Sequence, residues 1–164
     1  MTEQQGLAKE IQQQLQSNVS DSVLPITAAS SNAQQHFNAI WLSDVHLGSK
    51  DCKADYLLQL LSSLSTDKLF LVGDIIDIWA LKRKFLWPNS HNLVLQKLLK
   101  MAREGTQIVY IPGNHDEAVK PYDGFHLWDF SISKEHIHTT VSGKKVLMVH
   151  GDQFDSEVCI GRAY

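Results

Sequence analysis

The chain has 164 residues, a formal net charge of −3 and 43% hydrophobic residues. That length suits one domain of ordinary size, and the hydrophobic share excludes a disordered composition. The small negative charge gives no general attraction to nucleic acid or to an anionic membrane, and the two cysteines, Cys52 and Cys159, form no close metal-binding or redox pair.

Residues 1–36 are rich in Gln, Ser, Asn and Ala and read as a mobile leader. Leu7, Ile11 and Leu15 recur every fourth position, but a lone helix that short is marginal in water. The leader has neither the order of a secretory signal nor the Arg-rich bias of a transit peptide. No apolar run is long enough to span a bilayer. Both point to the cytosol.

From Phe37 onward strand and helix patterns alternate. A strand over Phe37–Ser43 precedes a helix over Lys53–Ser65 with Ala54, Leu57, Leu58, Leu61 and Leu64 on its apolar face. A second strand covers Lys68–Val72. A long connection holds Trp79, Lys82-Arg83-Lys84 and Trp87. The next helix spans Ser90–Arg103, with Leu95, Leu98, Leu99 and Ala102 inward and Gly105 as its stop. The third strand is Thr106–Ile111. Strands and helices at this spacing predict parallel pairing. Ser142-Gly143 predicts a hairpin between Ile137–Val141 and Lys145–Val149.

Four short polar motifs follow the apolar runs: Asp44-Val45-His46, Gly73-Asp74-Ile75-Ile76-Asp77, Gly113-Asn114-His115-Asp116 and His150-Gly151-Asp152. If the runs are neighbouring strands, all four motifs meet at one sheet edge, where open α/β folds bind ligands. Asp, His and Asn are ligands for hard and borderline divalent cations. In extended backbone Asp44 and His46 point the same way, towards a single cation. The Asp74 carboxylate can bridge two cations roughly 3.5–4 Å apart, with Asn114 and His150 serving the second. Gly73 and Gly113 remove bulk at the turns. His115 and Asp116 read as a proton donor and its orienting partner, and Asp77 as an acceptor that fixes the ligands. His36, His91, His126, His136 and His138 read as surface or capping residues, and Trp41 as core. No base near Cys52 argues for a nucleophile. Lys82-Arg83-Lys84 is either a solvated face or a phosphate contact.

These motifs, in this order, resemble the calcineurin-like metallophosphoesterases. Ser43-Asp44-Val45-His46-Leu47-Gly48, Gly73 to Trp79 and His150 to Asp155 are similar to the UDP-2,3-diacylglucosamine hydrolase-like branch. The resemblance implies an α/β fold, a β-sandwich flanked by helices in four layers (α/β/β/α), of which this chain holds the N-terminal part from residue 37 to 164. It implies two divalent cations, Mn²⁺ by family habit. Asp44, His46 and Asp74 would hold one, and Asp74, Asn114 and His150 the other. A metal-bridging hydroxide would attack phosphorus while His115 contacts the phosphate or protonates the leaving oxygen. The implied substrate is a phosphate-containing small molecule or a lipid-linked nucleotide of lipid A biosynthesis, met in the cytoplasm or at the inner membrane face.

Two departures stand out. Lipid A hydrolases carry Arg where this chain has His115, and the family's Gly-His-x-His motif is absent from the sequence. The second departure raises the alternative of a truncated, inactive remnant that binds metal or phosphate weakly. A nuclease of the same superfamily is the third reading, against which the sparse basic surface weighs.

Overall fold

A computed structural model describes residues 35–154. The leader expected over residues 1–36 lies almost wholly outside that range, as do the last ten residues. The elements run β1 (Gln35–Leu42), α1 (Ala54–Ser63), β2 (Leu64–Val72), α2 (Ile78–Arg83), α3 (Asn89–Arg103) and β3 (Gln107–Ile111). After a 3-10 turn (Glu117–Tyr122) come β4 (His126–Leu127), β5 (Phe130–Ile132), β6 (His136–Thr139) and β7 (Lys145–Met148), and then a short 3-10 turn (Asp152–Phe154). The expected α/β class is what forms: a parallel-rich sheet flanked by helices.

The first sheet has the order β1-β2-β3-β5-β4. β1, β2, β3 and β5 pair in parallel and β4 closes the edge antiparallel to β5. Sequence reading misses β4 and β5, because strands of two and three residues are too short to show a period. β2 starts at Leu64, inside the expected first helix: Leu64 is extended and buried, and its neighbours Ser65 and Thr66 pair with His36 and Phe37.

Alternation along β2 and β3 divides the core. Leu69, Leu71, Ile108 and Tyr110 face the helices and pack with Leu61, Val94, Leu98 and Ala102. Phe70, Val109 and Ile111 face the other way and pack with Met148 of β7. The inward stripe of α3 is His91, Val94, Leu98, Met101 and Ala102, so Leu99, expected inside, is 40% exposed. The stripe follows i, i+3, i+7, and one leucine of the run falls off it. Gly105 does end the helix. At φ +100 it lets its own N–H reach the Ala102 carbonyl and the Thr106 N–H reach that of Met101, which satisfies the terminal carbonyls.

β6 and β7 form a separate antiparallel sheet. The expectation of four motifs at one sheet edge is therefore corrected: three emerge from β1, β2 and β3, and His150 arrives from the second layer. Trp41, expected in the core, is 48% exposed. Its ring stacks on Phe70 at 5.3 Å, and its Nε1–H donates to the Met148 Sδ at 2.8 Å. Of the histidines read as surface or capping residues, His91 and His138 are buried. His138 packs against Trp41 and Phe70. His91 Nδ1 accepts from the Gly48 N–H at 2.9 Å and so does cap a loop.

Beneath the turns after β2 and β3 lies Asp116, fully buried. Its carboxylate accepts from the Gly113 N–H at 2.5 Å, the Ile75 N–H at 2.8 Å and the Tyr110 hydroxyl at 2.5 Å. Burial, and after it the Asp116 charge, push the Tyr110 hydroxyl far above its usual range, so it stays a donor.

Two measurements follow from these contacts. Asp116→Ala strands three buried donors, so thermal unfolding should show a loss of about 3 kcal/mol or more, a midpoint drop on the order of 10 °C. An unchanged midpoint would overturn the clamp. His91 is held neutral: burial lowers its pKa, and its Nδ1 is already accepting. The unfolded chain therefore takes up a proton that the fold refuses, and stability falls with pH below about 6.5. His136, lowered chiefly by burial, adds in the same direction. In His91→Gln the decline between about pH 6.5 and pH 5 should be shallower; an identical decline would show that His91 is not its source.

Candidate metal centre

Each functional side chain sits on the turn that ends a strand. Backbone bonds tie the turns together: the Asp44 N–H donates to the Gly73 carbonyl, the His46 N–H to the Asp74 carbonyl and the Gly73 N–H to the Ile111 carbonyl. Asp44, His46 and Asp74 all adopt φ +54, a left-handed conformation that costs a non-glycine residue about 1 kcal/mol or more. Sequence reasoning placed Asp44 and His46 in extended backbone, pointing together. Both residues sit in left-handed turns instead. Ligand atoms of Asp44, Asp74 and His150 lie within 4.8 Å of one another, and so do those of His46, Asp74 and His115. Asp74 belongs to both groups.

Asp74 is buried, and its Oδ2 lies 3.9 Å from His46 Nε2 and 3.8 Å from His150 Nε2. These gaps are too long for hydrogen bonds, yet the donors converge on one volume. Its Oδ1 accepts from the His115 N–H at 2.9 Å, which fixes the carboxylate. His150 Nδ1 is buried without a hydrogen-bond partner, 3.8 Å from the Asp152 carboxylate. Gly73 and Gly113 form the notch that admits the His150 ring. A Cβ at Gly73 would overlap that ring, and one at Gly113 would strike both the ring and Asp74. The glycines thus clear space for an imidazole from the second layer. A converging Asp/His donor set with an unpartnered buried imidazole nitrogen fits a divalent cation. Asn114 lies partly buried on the same turn, between Gly113 and His115.

Asp77 organises the imidazoles. Its Oδ1 accepts from His115 Nδ1 at 3.0 Å and, as the cap of α2, from the Ala80 N–H at 2.7 Å; its Oδ2 lies 3.3 Å from His46 Nδ1. Burial opposes the charge, but the hydrogen bonds from His115 and Ala80 and the nearby His46 outweigh it, and the carboxyl lies below its ordinary range. The expected partnership of His115 with Asp116 is corrected. The next carboxylate along the chain is turned inward under the backbone, and Asp77, held at the start of α2, meets the ring. The Trp79 ring lies over His115 with centroids 4.3 Å apart. That role was invisible in sequence, although Trp79 on the helix that follows the Gly-Asp motif was its only available sign.

Beside Asp44 and His46 opens a cavity of about 530 Å³. Its far wall is apolar, formed by Tyr56, Leu57 and Leu60 of α1 with Leu42 and Val45. Cys52 lines it too; burial raises its thiol pKa, which makes it a poor nucleophile.

Residues 37–163 match the family model described as calcineurin-like phosphoesterase. The chain is 25% identical over 126 residues to the UDP-2,3-diacylglucosamine hydrolase of Porphyromonas gingivalis, covering 68% of this chain and 44% of that protein. It is 28% identical over 120 residues to the UDP-2,3-diacylglucosamine hydrolase of Blochmanniella pennsylvanica, covering 69% of this chain and 46% of that one. The chain thus spans about half the length of the curated relatives it matches. The solved structure of Pseudomonas putida nuclease MPE aligns with 58% of this chain and 46% of that one at 20% identity, and its TM-score of 0.36 is too low to carry an argument. With the family model matched across nearly all the described residues, and with its polar motifs gathered around one shared carboxylate, the chain belongs to the calcineurin-like phosphoesterase family.

Proposed function

We propose that this chain carries the metal-binding half-site chemistry of a hydrolase acting on phosphate esters or anhydrides, with two divalent cations held by Asp44, His46, Asp74, Asn114 and His150. The observation that carries the reading is the buried Asp74 carboxylate, on whose Oδ2 the His46 and His150 imidazoles converge from two sides at 3.9 and 3.8 Å. The mixture of oxygen and imidazole nitrogen donors suits Mn²⁺. When bound, such cations lower the pKa of a water and offset the charge that builds on the phosphate. Asp74 orients the centre through its bond from the His115 N–H. His115, held by Asp77 at Nδ1 and covered by Trp79, keeps Nε2 free to give a proton to the leaving oxygen. The apolar wall at Tyr56, Leu57 and Leu60 accepts the non-phosphate part of the substrate. A phosphate carrying an apolar group, such as a UDP-2,3-diacylglucosamine-like lipid-linked nucleotide, suits that wall and agrees with the names of the relatives. No described helix is long and apolar enough to cross a membrane.

Metal stoichiometry after Mn²⁺ loading tests the centre. Two ions per chain should bind, Asp74→Ala should lose both, and metal-dependent phosphatase turnover should vanish with them. A fully active Asp74→Ala would sink the mechanism. His115→Ala should keep both ions and lose roughly 10²–10⁴ in kcat; loss of an ion instead would make His115 a ligand.

A further inference from the structure

A second cavity, of about 460 Å³, opens on the α2 side of the metal centre and shares Asp77 with it. Its lining includes Ser49, Lys50, Asp51, Arg83 and Lys84. The basic run on α2, which the sequence left open between solvated face and phosphate contact, therefore turns two of its three cations into a cavity. Lys50 joins them from the loop after β1, more than thirty positions away in sequence.

Among the described residues none of these three cations forms an ion pair. The lysine–carboxylate pairs among the described residues are Lys100–Glu104, Lys120–Asp152 and Lys134–Asp123, and Lys50, Arg83 and Lys84 take no part in them. Within the cavity two carboxylates face them. Asp77 already serves two imidazoles and the cap of α2, which leaves Asp51 against three positive charges. A helix C-terminus does favour basic residues in its last turn. That accounts for Lys82 and Arg83 on a six-residue helix, but not for Lys84 beyond its end, nor for Lys50 on another loop. In a chain of net charge −3, an unpaired basic cavity focuses a local field that attracts anions. The loop is also held in shape. Gly48, at φ +101, lies under Leu81 with no room for a Cβ, and its N–H is bonded to His91.

We infer that this cavity takes a second phosphate group of the substrate, distant from the scissile one, so that the substrate class is a molecule bearing two phosphates. The inference rests on the phosphoesterase reading of the neighbouring centre, and it adds a second specificity element to the apolar wall. Arg83 offers a planar fork for phosphate oxygens, and Lys50 and Lys84 supply point charge from opposite walls.

The test separates the cavity from the metal centre. Inorganic phosphate is titrated into the ¹⁵N-labelled full chain in EDTA, following the Gly48, Ser49, Lys50 and Lys84 amides. Saturable shifts at these amides are expected, weakened at least about tenfold in Arg83→Gln/Lys84→Gln. All three cations are exposed, so the double variant should melt as the parent does. Shifts that fail to saturate, or that survive in the double variant, overturn the inference. In the Mn²⁺-loaded chain the same variant should raise KM for butane-1,4-diyl bisphosphate about tenfold and leave KM for ethyl phosphate unchanged. Equal effects on both substrates overturn it. Turnover of neither compound sinks the phosphoesterase reading alone, and the titration then still decides the cavity. Phosphatidylglycerol vesicles that pull down the parent and not the variant, while free phosphate fails to bind, would make the cavity a reader of lipid headgroups and overturn the substrate role.

Discussion

Three backbone turns have to be packed within a few ångströms of one another for the site to exist, and each turn presents N–H groups that water cannot reach. The β1 turn gives its N–H groups to the Gly73 and Asp74 carbonyls, and the Asp116 carboxylate resolves the conflict for the other two. It draws donors from the β2 turn, the β3 turn and the β3 strand onto one buried anion. A neutral acceptor would satisfy fewer of them, and an apolar side chain none. The charge is tolerated because N–H and O–H dipoles surround it. Everything facing the substrate rests on that hidden carboxylate: the position of Asp74, the left-handed turn that carries it and the gap into which His150 fits.

The left-handed backbone at Asp44, His46 and Asp74 is the second cost the fold accepts. Three non-glycine residues in that region oppose local preference. They are held by tertiary bonds between the turns, from Asp44 to Gly73 and from His46 to Asp74. Strain of this kind, gathered at one site and supported from below, belongs to a place where function sets the geometry.

Much of this was legible in the residues. The strand–helix alternation, the β6–β7 hairpin and the Gly105 stop follow local rules, and the structure keeps them. What failed did so for tertiary reasons. Leu99 looks inward because it continues a run of leucines, whereas the buried stripe passes through His91, Val94, Leu98 and Met101. His138 read as a surface or capping residue because nothing local reveals an aromatic neighbour, whereas His91 does cap a loop, from a buried place that no local pattern marks. In the site, Asp44, His46, Asp74 and His150 were identifiable from motif order. Their backbone was not, since an Asp-x-His reads as extended until positive φ is known. Asp77 keeps its expected part as an acceptor and also takes the one expected of Asp116, because adjacency in sequence favoured a partner for His115 that the fold faces the other way.

The glycine notch has a thermodynamic consequence. His150 belongs to the hairpin layer, whereas Asp74 and Asp44 belong to the main sheet, and the ring reaches them only through the space that Gly73 and Gly113 leave. A cation gripped by all three would act as a cross-link between layers that also meet in the Met148 cluster and where His136 and His138 pack on Phe70. Ion affinity and layer docking are then linked functions: whatever loosens the hairpin weakens the grip on the ion, and the ion returns the same free energy as cohesion.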